Sequence, residues 1–202
     1  MDWRKFFFKY RSYTPIPLLL AILIWAAPSP ASLICGFAIT ALGECLRLWA
    51  VSHAGGATRT TGEAGAGAEL ITHGPFAYVR NPLYLGNFII AFGFCVMASA
   101  WMPWMLLIFG ALFGLQYRLI ISLEEEYLRR HFGQIYETYL ANVPRFFPRL
   151  RPFRPQNVPA MPLARALKIE KDTLLSTFLI ALAIFLRWKF TTAMSAEAYL
   201  PK

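Results

Sequence analysis

Two short stretches of this chain concentrate side chains able to do chemistry: "HGPFAYVRNPLY", from His73 to Tyr84, and "LEEEYL", from Leu123 to Leu128. In the first, Asn81 suits a helix N-cap, and Pro82 suits the first helical position, where its missing N–H would have had no partner. A helix beginning there exposes unpaired amide N–H groups and a partial positive charge, and Arg80 sets a full cation beside them. That is the outline of a carboxylate or phosphate receptor; the plainer alternative is that Arg80 and Tyr84 only anchor a helix at a membrane interface. In the second stretch, Glu124, Glu125 and Glu126 follow an apolar run. Successive helical residues point about 100° apart, so one or two of these carboxylates face inward while another meets water. A ligand carrying a carboxylate, a ribose diol and a positive centre would satisfy the cation, the acids and the tyrosines together, and S-adenosylmethionine is such a molecule.

The elements that must position these groups are membrane helices. The 202 residues are 57% hydrophobic, 16% aromatic and only 15% charged. A formal net charge of +9 alongside long uncharged runs points to anionic lipid headgroups as partners rather than to nucleic acid. A crossing takes about 20 apolar residues. By that measure Ala31–His53 and Trp101–Leu123 are long enough, Pro82–Ala100 is adequate and Ile16–Ala27 is short. The N-terminal run also has the cations and small residues of a cleavable signal, but reads equally as the first of two helices joined at "PSPAS". Cations gather in the N-terminal arm, at Arg59 and Arg80, and nine times between Arg129 and Lys171. Because cytoplasmic loops carry the excess of Lys and Arg, this places the N-terminus and the site on the cytoplasmic side.

The expected architecture is an all-α, polytopic bundle of four to five transmembrane helices forming one membrane domain, with a cytoplasmic C-terminal segment closing a cofactor pocket. Its parts are a first hairpin (1–53), a cytoplasmic Gly-rich loop and HGPF turn (54–81), a second hairpin (82–123), an amphipathic helix with an Arg/Pro strap (124–155) and a C-terminal extension (156–202). One helical face of the fourth part would carry Leu128, Phe132, Ile135, Tyr136, Tyr139 and Leu140. In the extension Leu174–Leu186 is too short for a confident crossing, and an interfacial helix is the alternative. Inside the second run Glu44 and Arg47 stand three apart, a spacing that allows a mutual ion pair or a role near a lipid-side channel; Gln116 and Arg118 have the same ambiguity. Cys35, Cys45 and Cys95 lie in apolar runs, and His53, His73 and His131 are not at ligand spacing, so no metal site is expected.

"GPFAYVRNPLYLGN" followed some forty residues later by "EEEYLRRHFGQIYETYLANVPRFFP" resembles the isoprenylcysteine carboxyl methyltransferase and phospholipid methyltransferase superfamily of integral membrane enzymes. The resemblance implies S-adenosylmethionine as cofactor and an acceptor that enters from the lipid, with carboxyl methylation of a prenylcysteine-like acceptor favoured over N-methylation of a phospholipid amine. By the same resemblance the HGPF turn, His73, Gly74, Pro75 and Phe76, lines the cofactor with Ala77 and Tyr78, Arg80, Asn81 and Tyr84 lie near its methionine end, and Glu124 and Glu125 hold its polar groups. Arg145 resembles the arginine set close to the substrate, with Glu44 and Arg47 on the substrate side; the catalytic set is then Arg145, Tyr84 and Asn81. The family has histidine where this chain has Asn81. Membrane sterol reductases using NADPH, and a non-enzymatic scaffold, are the readings from other classes. A soluble-type methyltransferase is excluded because "AGAGAEL" follows no strand.

Overall fold

The computed structural model describes residues 2–55, 69–154 and 158–198, with side chains through 193. The Gly-rich loop and Arg59 lie outside the described residues. Every regular element described is helical: α1 (Trp3–Lys9), α2 (Ile16–Ile24), α3 (Pro30–Ala54), a single 3-10 turn (Gly74–Ala77), α4 (Pro82–Ala98), α5 (Trp104–Phe132), α6 (Gln134–Asn142) and α7 (Leu163–Ala198).

Local chemistry sets the boundaries. Ser29 caps α3 through a reciprocal capping box with Ser32, with Pro30 opening the first turn. α5 runs unbroken past the three glutamates to Phe132, and Gly133, at φ +51°, turns the chain into α6. The single amphipathic helix expected from Leu128 to Leu140 is therefore two. Leu128, Phe132, Tyr136, Tyr139 and Leu140 still meet in one cluster with Val143 and Phe153, but the break turns Ile135 out to solvent. The C-terminal expectation also changes: Leu174–Leu186 lies within one helix of 36 residues. The first helix ends at Ile24, three residues short of its expected end, and with nine residues does not cross a bilayer by itself.

Two helices, α3 and α5, are long and apolar enough to cross a membrane, and α4 is apolar but shorter, at 17 residues. Their outer faces carry large apolar groups in the open, among them Ile34, Phe37 and Leu42 on α3 and Leu107, Leu112 and Leu115 on α5. Apolar surface of that extent fits lipid rather than water.

Lipid supplies little drive for helix to meet helix, so close packing must do it. α3 and α4 meet along a glycine seam, Gly36 and Gly43 against Gly86 and Gly93. A methyl group built on Gly43 would lie 2.8 Å from the backbone N of Ile90 and 2.9 Å from the carbonyl of Gly86. Phe88, Phe109, Phe113, Tyr117 and Tyr84 then stack in succession between α4 and α5, with ring centres 4.6–5.4 Å apart. The seam fixes where α4 begins, and so where Arg80 and Tyr84 stand.

Candidate functional site

The turn Gly74–Asn81 is held from both sides. Gly74, at φ +57°, sits where a Cβ would strike the His53 ring at 2.5 Å, so only glycine lets the turn seat on the end of α3. Tyr78 packs against Trp49, and His73 against His53 with ring centres 5.7 Å apart. Partial burial, and then the neighbouring His53, hold the His73 pKa below its usual 6.5. From the other side the expected Arg/Pro strap docks through the backbone: Arg80 N–H donates to Pro144 O at 2.9 Å, Arg149 N–H to Tyr78 O at 3.0 Å and Phe153 N–H to Ala77 O at 2.9 Å. Asn81 occupies the N-cap position of α4 but makes no side-chain cap bond. Its amide donates to Arg145 O at 3.3 Å instead, so the residue expected to cap the helix and to act in catalysis ties the strap to the turn.

Between turn, α5 and α6 lies a cleft lined by Phe76, Arg80, Asn81, Tyr84, Glu124 and Glu125, with Leu70, Leu128, Tyr136 and Tyr139 on its apolar side. Arg80 and the Glu124/Glu125 pair thus share one cavity. Glu125 is buried and gathers two arginines: Arg145 Nε at 3.1 Å, with a second bond through Nη2, and Arg80 Nη2 at 3.5 Å. Arg80 keeps its Nε and Nη1 buried without a hydrogen-bond partner. Buried guanidinium donors left unsatisfied cost stability unless an acceptor meets them, which makes Arg80 a candidate to hold an anion. Tyr84 donates to Glu124 Oε1 at 2.7 Å. Glu126, the outward member of the triplet, pairs with Arg4 at 2.7 Å and with Arg130. Burial raises the Tyr136 and Tyr139 pKa values, keeping both phenols as neutral donors; Tyr139 spends its proton on Phe76 O at 2.7 Å.

Among the described residues, His73, Gly74, Pro75, Ala77 and Tyr78 do not line this cleft. They build the turn that presents Phe76 and Arg80. Phe76, of the expected HGPF turn, does line it; Tyr136 and Tyr139 line it as well, beyond the sequence expectation, and the aromatic spacing after Glu126 is the signal for them.

A second cavity, of about 740 Å³, opens on the other side of the same contact: Tyr84, Glu124, Leu83 and Leu128 line both. Here the i,i+3 pairing expected of Glu44 and Arg47 is not what organises the charges. Arg47 reaches Glu170 of α7 at 2.8 and 2.9 Å and bonds Asn87 of α4, while Glu44 accepts from Thr177 of α7 at 2.5 Å. Each charge thus takes its partner from a facing helix, which ties α3 to α4 and α7, while Arg47 Nε and Glu44 Oε2 stay buried without a hydrogen-bond partner. Gln116 donates to Arg11 O at 3.4 Å, while Arg118 is exposed. Among the described residues, no group of three or more His, Cys, Asp or Glu side chains could hold a metal ion.

Residues 31–135, just over half of the chain, match the sequence family described as phospholipid methyltransferase. Among curated proteins, the chain is 32% identical over 111 residues to the nickel-cobalt-cadmium resistance protein NccN of Alcaligenes xylosoxydans xylosoxydans, covering 55% of this chain and 47% of that one. It is 30% identical over 126 residues to the cobalt-zinc-cadmium resistance protein CzcN of Cupriavidus metallidurans, covering 62% and 53%. It is 37% identical over 79 residues to the protein-S-isoprenylcysteine O-methyltransferase of Schizosaccharomyces pombe, covering 39% and 33%. The chain thus spans about half or less of the length of these relatives. No solved structure matches it.

Proposed function

The chain belongs to the phospholipid methyltransferase family, and from that premise we propose that it transfers a methyl group from S-adenosylmethionine to an amphiphilic acceptor drawn from the membrane. The observation that carries the donor is Arg80, whose Nε and Nη1 are buried at the cleft with their N–H groups unanswered. They fit the carboxylate of a methionine moiety, and the Tyr84–Glu124 pair fits hydroxyl or cationic groups beside it. When bound, the donor supplies an electrophilic methyl on a sulfonium. The protein's share is alignment and exclusion of water, and the strap, fixed over the turn by three backbone hydrogen bonds, serves both.

For the acceptor, the geometry favours a nucleophile that reacts uncharged, such as the amine of a lipid headgroup. Arg145, the arginine carried over for a substrate carboxylate, is engaged by Glu125, whereas Glu124 stands where both cavities meet and can take a proton. Carboxyl methylation of a prenylcysteine-like acceptor is the second reading, favoured by the 37% identity to the Schizosaccharomyces pombe protein. The chain reads as a multi-pass membrane protein of four to five spans, with the cleft on the cytoplasmic side and its basic arm and strap against anionic headgroups.

Calorimetry in detergent tests the donor. S-adenosylhomocysteine should bind at micromolar concentration and lose at least about tenfold in affinity in Arg80→Ala and Glu125→Ala, since each removes a charge-assisted partner worth roughly 1.5–3 kcal/mol. Binding of NADPH instead, or of no nucleotide, overturns the reading. Base treatment of the labelled product separates the acceptors: a methyl ester releases methanol, an N-methyl group does not.

A further inference from the structure

α7 lies outside the family-matched residues 31–135, yet it builds a whole wall of the second cavity. Along α7, Glu170, Thr173, Thr177 and Ile180 recur at helical spacing, and the cavity meets all four on one face. The cavity has an order from end to end. At the junction with the donor cleft stand Tyr84 and Glu124. One turn further along α4, about 4.5 Å at 1.5 Å per residue, Asn87 accepts from Arg47, which also reaches Glu170 and Thr173. About 15 Å from Tyr84 along the same helix, the lining is Phe94, with Phe113 and Ile180 beside it.

In the middle zone the Arg47 guanidinium is engaged by the Glu170 carboxylate, with Asp172 on the same lining and Glu44 bonded to Thr177, so Arg47 is not left open to an anionic group. Thr173 accepts from Arg47 at 3.4 Å, which orients its oxygen and leaves the hydroxyl proton to be donated. A volume of about 740 Å³ falls within the roughly 300–1,000 Å³ typical of small-molecule sites.

We propose that α7 is the acceptor-selecting wall of this enzyme: Thr173 donates a hydrogen bond to an uncharged polar group, an ester, amide or hydroxyl, set about one helical turn below the methylated atom of a compact amphiphile, whose apolar tail runs along Phe94, Phe113 and Ile180. The Arg47–Glu170 pair is the rigid frame that aims Thr173, not a charge receptor. This deepens the methyltransferase reading and rests on it.

The experiment uses the full chain in detergent with labelled S-adenosylmethionine and a total polar lipid extract of the expression host, and compares wild type, Thr173→Val, Thr173→Ser and Ile180→Trp. Thr173→Val should raise the acceptor KM about tenfold and change which lipids are labelled, Thr173→Ser should restore both, and Ile180→Trp should shift labelling toward shorter tails. S-adenosylhomocysteine affinity should stay within twofold throughout. Unchanged acceptor KM and product spectrum in Thr173→Val and Ile180→Trp, or no labelled lipid at all from protein that still binds S-adenosylhomocysteine, overturns the proposal. Loss of S-adenosylhomocysteine binding in the wild type overturns the methyltransferase reading itself.

Discussion

The two cavities share the Tyr84–Glu124 contact and differ in what gives them shape. In the proposed donor cleft the turn and the strap are joined main chain to main chain, and α5 is tied to them by side chains, through the Arg80–Glu125–Arg145 trio and the Tyr84–Glu124 bond. The proposed acceptor cavity is drawn by side chains projecting from α3, α4, α5 and α7, with Arg47 of α3 bridging to Asn87 of α4 and Glu170 of α7. A backbone-built site keeps its form while side chains around it change; a side-chain-built one changes form with each substitution. One family can thus keep a common donor grip while its acceptors diverge, and the divergence here is expected in α3, α4 and α7.

Both cavities nevertheless depend on the α3–α4 seam, and breaking it has the largest expected effect. In Gly43→Ala the new methyl group meets Ile90 Cγ1 at 2.7 Å and Ile90 N at 2.8 Å, contacts that force the helices apart. Overpacking of this kind costs about 1–3 kcal/mol. Gly110→Ala on α5 is the control, since nothing lies within 4 Å of its added carbon, and there the gain in helix propensity of up to about 1 kcal/mol stands alone. Thermal unfolding in detergent should show a fall for the first and none for the second; equal melting temperatures would mean that the seam is not what sets the helix spacing.

Tyr84→Phe has an intermediate effect and sharpens the division directly. It deletes the 2.7 Å bond and leaves a Glu124 oxygen without its donor, at about 1–3 kcal/mol. Because the contact belongs to both cavities, methyl transfer should slow by roughly 10- to 100-fold while S-adenosylhomocysteine affinity changes by no more than a few-fold. A fall in that affinity as large as the fall in rate would assign Tyr84 to the donor cleft alone.

Sequence made the donor cleft easier to read than the acceptor cavity, for the same reason. The cleft residues are close in sequence or fall at a helix end whose capping chemistry is local, so Arg80, Tyr84, Glu124 and Glu125 could be brought together from "RNPLY" and "LEEEYL". Asn81 takes the expected N-cap position, but its side chain answers a carbonyl 64 residues away rather than its own helix, a partner no local pattern reveals. Arg47 and Glu170 are 123 residues apart, and no single-chain periodicity pairs such groups; the i,i+3 neighbour Glu44 was the local partner available to reason with. The seam left a mark that was legible, glycines seven apart on both helices at Gly36/Gly43 and Gly86/Gly93. A long run of helix hid the Gly133 break, because only a positive φ, and not composition, separates a terminating glycine from a tolerated one.

The smallest expected effect lies at the foot of the donor turn. His73 packs on His53, and its folded pKa is held below 6.5 by burial and by that neighbour, with Glu69 pulling the other way. Since the unfolded chain then binds a proton that the folded chain refuses, this contribution is full above pH 6.5, shrinks as pH falls through 6.5 toward the lower folded value, and is flat below it. His73→Gln removes the titrating group while keeping a polar side chain of similar reach. The difference in melting temperature between wild type and variant should narrow on acidification from pH 7.5 to 5.5, and a donor site fixed by backbone should keep its S-adenosylhomocysteine affinity across that range in both proteins. A difference that widens in acid would reverse the sign of the His73 shift, and donor affinity that tracks it would mean that the turn's side chains, not its backbone bonds to the strap, hold the cleft in shape.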